Sequence, residues 1–233
     1  MRKTKELSDV TVDFDALERL LSTRYSCRGF RPDPVPRDVI EQIVTAAGRA
    51  PSWCNAQPWQ VVITTGEETE RFRNSLLDTV DREKPAPDMP WPESYPGATG
   101  DRRRTCGYQL YHAVGIARDD HAARAGQSRE NFRLFGAPHV AIVSSEAALG
   151  PYGALDCGGF VTAFMLAATS LGLASIAQAS VAAYPEMIRA HFGLAASRTI
   201  LCAISFGYPD PNHPANRLRT ERAEISEICD FRS

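Results

Sequence analysis

Residues 156–171 would be apolar on nearly every side of a helix. The run is built from Ala, Leu, Phe, Met, Thr and Gly, with Asp156 at its start. A surface helix of a globular protein carries one apolar stripe, and this segment has no polar face to give to water. It predicts a helix buried on most sides, either central in its own domain or shared with a second subunit. The longest apolar stretch, 160–173, is interrupted by Thr162, Thr169 and Ser170. It is too short to span a bilayer comfortably, so a buried helix, and no membrane partner, is the expectation.

Around this segment the chain alternates helical and extended patterns. Leu17, Leu20 and Leu21 predict a first helix over 13–22, with Asp13 near its start. Pro32, Pro34 and Pro36 keep the next stretch extended, and 38–49 returns to helical period. Strands are expected at 60–65, 139–144, 174–178 and 199–206. Helices are expected at 67–80, 105–130 (with Gly115 to Arg118 inside) and 184–191. Residues 84–100 hold five prolines with Trp91 and Tyr95, an irregular insertion of the kind that serves as a lid or linker. Four or five short strands among helices fit an α+β sandwich.

Two short segments carry the chemistry. Residues 50–59 read Ala-Pro-Ser-Trp-Cys-Asn-Ala-Gln-Pro-Trp. Pro51 and Pro58 constrain the loop at both ends. Ser52, Asn55 and Gln57 offer donors and acceptors in a short space, which suits the edge of a flat heteroaromatic ligand; ordinary turns leading into a strand would also use them. Residues 24–30 read Arg-Tyr-Ser-Cys-Arg-Gly-Phe. Guanidinium forks match phosphate geometry and a hydroxyl adds a donor, although arginines also favour the last turn of a helix.

Composition narrows the field. The chain has 233 residues and a formal net charge of −2, which removes the electrostatic case for a nucleic-acid partner. The run Arg102-Arg103-Arg104 reads as a solvated face or part of a lid. The six cysteines are scattered, without Cys-x-x-Cys pairs or histidines at ligand spacing. They read as reduced thiols, and no metal site is expected. No apolar core follows Met1–Glu6, so no secretory signal is read and the cytoplasm is the expected compartment. A Rossmann glycine turn, a Walker loop, a Gly-x-Ser-x-Gly elbow and a His-Glu-x-x-His helix are all missing.

Taken together and in this order, Arg24, Ser26, Arg28 and Phe30, followed by Ala50, Pro51, Ser52, Asn55, Gln57, Pro58 and Trp59, resemble the nitroreductase family of flavin mononucleotide enzymes. The resemblance implies a single domain over 1–233: a nitroreductase-like α+β sandwich, its mostly antiparallel sheet flanked by helices. It further implies a long central helix at a homodimer interface, a lid insertion at about 84–104 and a C-terminal arm at about 209–233 that crosses to the partner. FMN would lie at the interface, with cofactor contacts from Arg24, Tyr25, Ser26, Arg28, Pro51, Ser52, Asn55 and Gln57. The strand end Ala177, Gln178 and Ala179 would border the flavin ring. Arg219 and Arg222 would join the phosphate, with Arg217 as an alternative. Gly207-Tyr208-Pro209 matches the family's turn after its last core strand.

The implied reaction is ping-pong. NAD(P)H passes hydride to the flavin and leaves, and a nitroaromatic, a quinone or a similar small-molecule acceptor enters the same pocket. The flavin carries the chemistry, so no side chain is assigned as a catalytic acid or base. Two other readings stay open: a specialised flavin enzyme of dehalogenating or flavin-fragmenting type, and a non-catalytic flavin store. Lys84, Glu93 and Tyr95 are present in the lid, but their order and spacing do not match the dehalogenating branch.

Overall fold

The computed structural model describes residues 14–232; Asp13 and the N-terminal segment read for a signal lie outside the described residues. Eight α-helices and four strands are described: α1 (Phe14–Thr23), α2 (Arg37–Ala47), β1 (Gln60–Thr64), α3 (Glu67–Arg82), α4 (Gly97–Ala113), α5 (His121–Arg129), β2 (His139–Glu146), α6 (Gly150–Ser170), β3 (Ala174–Gln178), α7 (Pro185–Phe192), β4 (Arg198–Gly207) and α8 (Ile225–Ile228). The strands form one sheet in the order β1-β2-β4-β3, antiparallel throughout. This is the expected α+β architecture.

Alternation along β2 builds both layers of the core. Ala141 and Val143 face one side, where Ile204 and Phe206 of β4 meet α2 and α6. Val140 and Ile142 face the other, against Phe72 and Leu76 of α3 and Ile188 of α7. Successive strand side chains point to opposite faces, and a strand buried on both sides reads as a near-continuous apolar run. Phe160 and Phe164 anchor α6 on the sheet. Both are fully buried, each contributing roughly 1.5–3 kcal/mol by area removed from water.

Three expectations change. The helix expected at 105–130 is two helices. Gly115 (φ +71°) turns the chain after α4, and the Asp120 carboxylate accepts the Ala123 N–H at 2.9 Å to cap α5. The insertion expected to be irregular to residue 100 is already helical from Gly97, in α4. The central helix begins at Gly150 (φ +52°), with Pro151 in its first turn, six residues before the apolar run suggested.

The burial expected for α6 is also not met within one chain. Only 28% of its most apolar window is buried. By length and composition the segment Ala147–Ser170 is long and apolar enough to cross a bilayer, but α6 packs on α2, the sheet and α1. Its Tyr152 and Leu155 remain 57% and 69% exposed. Leu17 and Leu21 of α1, and Ile225, Ile228 and Phe231 of the tail, are exposed too.

Candidate functional site

The segment after α1 is fixed between β3 and the chain that follows β4. The Cys27 N–H donates to the Ser175 carbonyl at 3.2 Å, and the Arg31 N–H to the Tyr208 carbonyl at 2.9 Å. Asn216 clamps the middle. Its Oδ1 accepts the Arg28 N–H at 2.8 Å, and its Nδ2 donates to the Gly29 and Asp210 carbonyls at 2.8 and 2.9 Å. Gly29 is required by this close approach, because a Cβ there would lie 2.3 Å from His213 Cγ. Asn216, only 6% exposed, was not singled out from sequence; the one signal was an Asn within a Pro-bounded turn ahead of three arginines.

This clamp brings together segments nearly two hundred residues apart. Arg24, Tyr25, Ser26, Arg28, Arg219 and Arg222 line one cavity of about 390 Å³, with Cys106 and Leu218 as further walls. No Asp or Glu lines it, and none of the four guanidiniums forms a salt bridge among the described residues. The guanidinium of Arg219 sits over the Tyr25 ring, 3.9 Å from its centroid. Arg28 donates to the Ser26 carbonyl at 3.1 Å. Burial, reinforced by the neighbouring Arg222 charge, lowers the pKa of Arg24; burial also lowers that of Arg28. Partly desolvated cations without a counter-ion make an anion site. Arg217 lies elsewhere, on an adjoining cavity with Tyr108 and His112.

A second cavity of about 630 Å³ shares Arg24, Ser26 and Arg222 with the first and extends along Thr162 and Met165 of α6 to Ala177. Ala177 is exposed at the edge strand, as is Ala179 just beyond it. Gln178 points the other way: its Nε2 donates to the Asn131 carbonyl at 2.8 Å, and its Oε1 accepts from Ser205 Oγ at 2.5 Å. The Gln178 side chain thus serves the core, and of the three residues expected at the flavin ring only Ala177 lines the cavity.

The loop after α2 stands apart. None of Pro51, Ser52, Asn55 or Gln57 lines either cavity of its own chain. Cys54, Asn55 and Gln57 all have positive φ, at 51°, 56° and 47°. Such conformations in non-glycine residues cost of order 1–3 kcal/mol each and persist where the surroundings over-determine them. The determinants are visible. Ser52 Oγ accepts the Gln57 N–H at 2.9 Å, and Asp156 Oδ2 accepts the Trp53 N–H at 3.1 Å. Trp53 meets Tyr152 edge-on, with centroids 4.5 Å apart. Gln57 Nε2 also donates to Asn55 Oδ1 at 3.0 Å. The loop is held rigid at the start of α6 while its polar side chains face outward.

The profile of the nitroreductase family matches residues 21–208, and the chain belongs to that family. It is 38% identical over 223 residues, 95% of each chain, to nitroreductase NfnB of Mycolicibacterium smegmatis. It is 35% identical over 223 residues, 95% of this chain and 96% of the other, to a 4-nitrobenzoate reductase of Pseudomonas putida. The crystal structure of the FMN-dependent nitroreductase NfnB from Mycobacterium smegmatis in complex with NADPH matches with a TM-score of 0.90 at 37% identity, over 94% of this chain and 99% of that one.

Proposed function

We propose that this chain is an FMN-dependent oxidoreductase that uses NADPH to reduce nitroaromatic compounds. The observation that carries the reading is the acid-free cavity where Arg24, Arg28, Arg219 and Arg222 converge with Ser26. That donor set fits a flavin phosphate: it combines charge, forked donors and a hydroxyl. The trough running from it past Glu18, Thr162 and Met165 to Ala177 gives the ring a bed of mixed polarity. When bound, the flavin supplies a two-electron relay between the nicotinamide and the acceptor. This chain's own residues bind and orient; none is assigned to carry a proton. NADPH is assigned as reductant because close structural neighbours of this chain are FMN- and NADPH-dependent nitroreductases.

The working form in this reading is a homodimer. The exposed residues of α1, α6 and the tail offer an apolar surface of the kind that marks an interface. The loop 50–57 lines neither cavity of its own chain, so its Ser52, Asn55 and Gln57 would frame the ring in the partner's site. Residues 84–104 would act as lid and 209–233 as arm of a single domain. The six free cysteines suit a reducing compartment, and the cytoplasm is the compartment we assign.

The test is spectroscopic. Protein loaded with FMN should lose its absorbance at about 450 nm on adding NADPH and regain it on adding 4-nitrobenzoate. A loaded protein that NADPH does not bleach would overturn the assignment as a reductase. A chain that takes up no FMN would overturn the cofactor site itself.

A further inference from the structure

Asp156 is the single charged residue in the 21 of α6. It is half-buried, and its carboxylate accepts the Trp53 N–H at 3.1 Å. Tyr152 stands one turn earlier on the same helix face, since residues i and i+4 are neighbours there. Its ring meets the Trp53 ring edge-on, with centroids 4.5 Å apart. The face continues along α6. A Cβ on Gly159 would lie 3.9 Å from Ala50 Cβ, and Phe160 stacks on Trp59 with centroids 5.4 Å apart. Tyr152, Asp156, Gly159 and Phe160 therefore seat the loop 50–59 at its start, at Trp53 and at its end. The face itself is fixed, because Gly153 is buried so close to β2 that a Cβ would lie 2.6 Å from Ser145 Oγ.

We propose that Asp156 is a positioning residue for the flavin ring, acting through Trp53 on Asn55. This role rests on the flavin reading above and deepens it. One peptide group makes the link. The Ser52–Trp53 peptide gives its N–H to Asp156 and accepts the Asn55 N–H at its carbonyl, at 3.0 Å. Hydrogen bonds in series polarise one another, so the carboxylate strengthens the bond that orients Asn55. The Trp53 carbonyl accepts the Ala56 N–H, also at 3.0 Å, and this carries the hold on toward Gln57. Cys54, Asn55 and Gln57 keep left-handed backbones, which persist only where the surroundings impose them. A carboxylate near a helix N-terminus also gains from the helix dipole, and that gain needs the charge alone; orienting the loop needs the acceptor.

Equilibrium titrations of the flavin-free protein with FMN test this. Asp156→Ala should weaken FMN roughly tenfold. Asp156→Asn keeps an acceptor for the Trp53 N–H and loses the charge, and should bind within about twofold of wild type. Asn55→Ala should cost less in the Asp156→Ala background than alone, because Asn55 is already displaced there. Arg28→Gln, at the phosphate, should cost the same in both backgrounds. Tyr152→Ala frees the Trp53 ring alone; it should give a smaller loss and carries the test if Asp156→Ala does not fold. Wild-type affinity in the Asp156→Ala and Tyr152→Ala proteins overturns the role. So does a loss that Asp156→Asn shares in full, which would assign the charge to the helix dipole, and so does an Asn55→Ala cost that Asp156→Ala leaves unchanged. A wild type that takes up no FMN would strike the flavin reading instead, so the two failures are distinguishable.

Discussion

The guanidinium of Arg219 lies 3.9 Å from the centre of the Tyr25 ring, and this contact pins the C-terminal tail to the segment after α1. It joins residues far apart in the sequence and sets one wall of the arginine cavity. Cation–π contacts contribute about 0.5–1 kcal/mol when exposed and 2 or more when desolvated. On the proposed function Arg219 is also a phosphate donor, so replacing it by Gln should lower FMN affinity by about tenfold or more. Tyr25→Phe keeps the ring and should cost little; Tyr25→Leu should weaken FMN. Fluorescence titration of the three variants checks the order, and a Phe variant as weak as the Leu one would contradict it.

One tie between the insertion and the core is ionic, beside the Ala86 N–H donated to the Ala183 carbonyl at 2.8 Å. Arg189 makes a two-pronged contact with Asp88, Nη1–Oδ2 2.7 Å and Nη2–Oδ1 3.1 Å, and the Asp88 carboxylate also accepts the Ile200 N–H at 2.8 Å. Side-chain exposures are 10% and 20%. Removing Asp88 leaves the Ile200 N–H without its acceptor, while Glu186 still holds the Arg189 guanidinium at 2.8 Å, and costs about 1–3 kcal/mol. Asp88→Ala should therefore lower Tm by about 5 °C. Thermal melts read it directly; a shift under about 2 °C would mean the pair is solvent-screened.

His139 predicts a pH dependence. Its Nε2 accepts the Val35 N–H at 2.8 Å, so Nδ1 carries the proton and donates to the Thr64 carbonyl at 3.1 Å. The ring is buried and stacks on Phe206, and burial lowers its pKa below the ordinary 6.5. The folded state refuses a proton that the unfolded chain accepts, so this contribution is complete above about pH 6.5 and is lost as pH falls below it. Melting from pH 8 to 5 should show wild type losing stability through that window more steeply than His139→Phe. Parallel curves would remove His139 as the cause.

Cys27 and Cys157 are fully buried, and burial pushes each thiol up to about 11. Both should resist iodoacetamide near neutral pH until the protein unfolds, because the thiolate is the reacting species. Mass spectrometry of native and denatured samples reads the difference; native labelling at either would place it on a mobile surface.

Shared sites have a signature of their own. If loop 50–57 serves the partner's cavity, Asn55→Ala and Arg28→Gln damage different halves of each site. Mixing the two variants and allowing exchange should then restore roughly a quarter of wild-type sites, since half of the dimers are mixed and each carries one intact site. If loop and cavity act within one chain, mixing restores nothing.

Much of this was legible in the sequence for identifiable reasons. The strands were readable because β-branched and apolar runs end at Gly and Pro, and β3 (Ala174–Gln178) was placed to the residue. Arg24, Ser26 and Arg28 alone are also what a basic helix end would carry, and only their order ahead of Ala50–Trp59 made an anion site the expectation. What escaped depends on three-dimensional approach. Asn216 clamps Arg28 across 188 residues, and only folding reveals it. The partners of Gln178, Asn131 and Ser205, reach it only across neighbouring elements. The break between α4 and α5 was written in Gly115 and Asp120 but outvoted by the helical composition around them.

The central claim is that the arginine cavity holds the flavin by its phosphate. Titrating the flavin-free protein with FMN and with riboflavin, which lacks only that phosphate, tests it most directly. Several charge-assisted contacts predict that FMN binds at least about a hundredfold more tightly, and that Arg28→Gln shrinks the gap. Equal affinities for the two ligands would contradict the account.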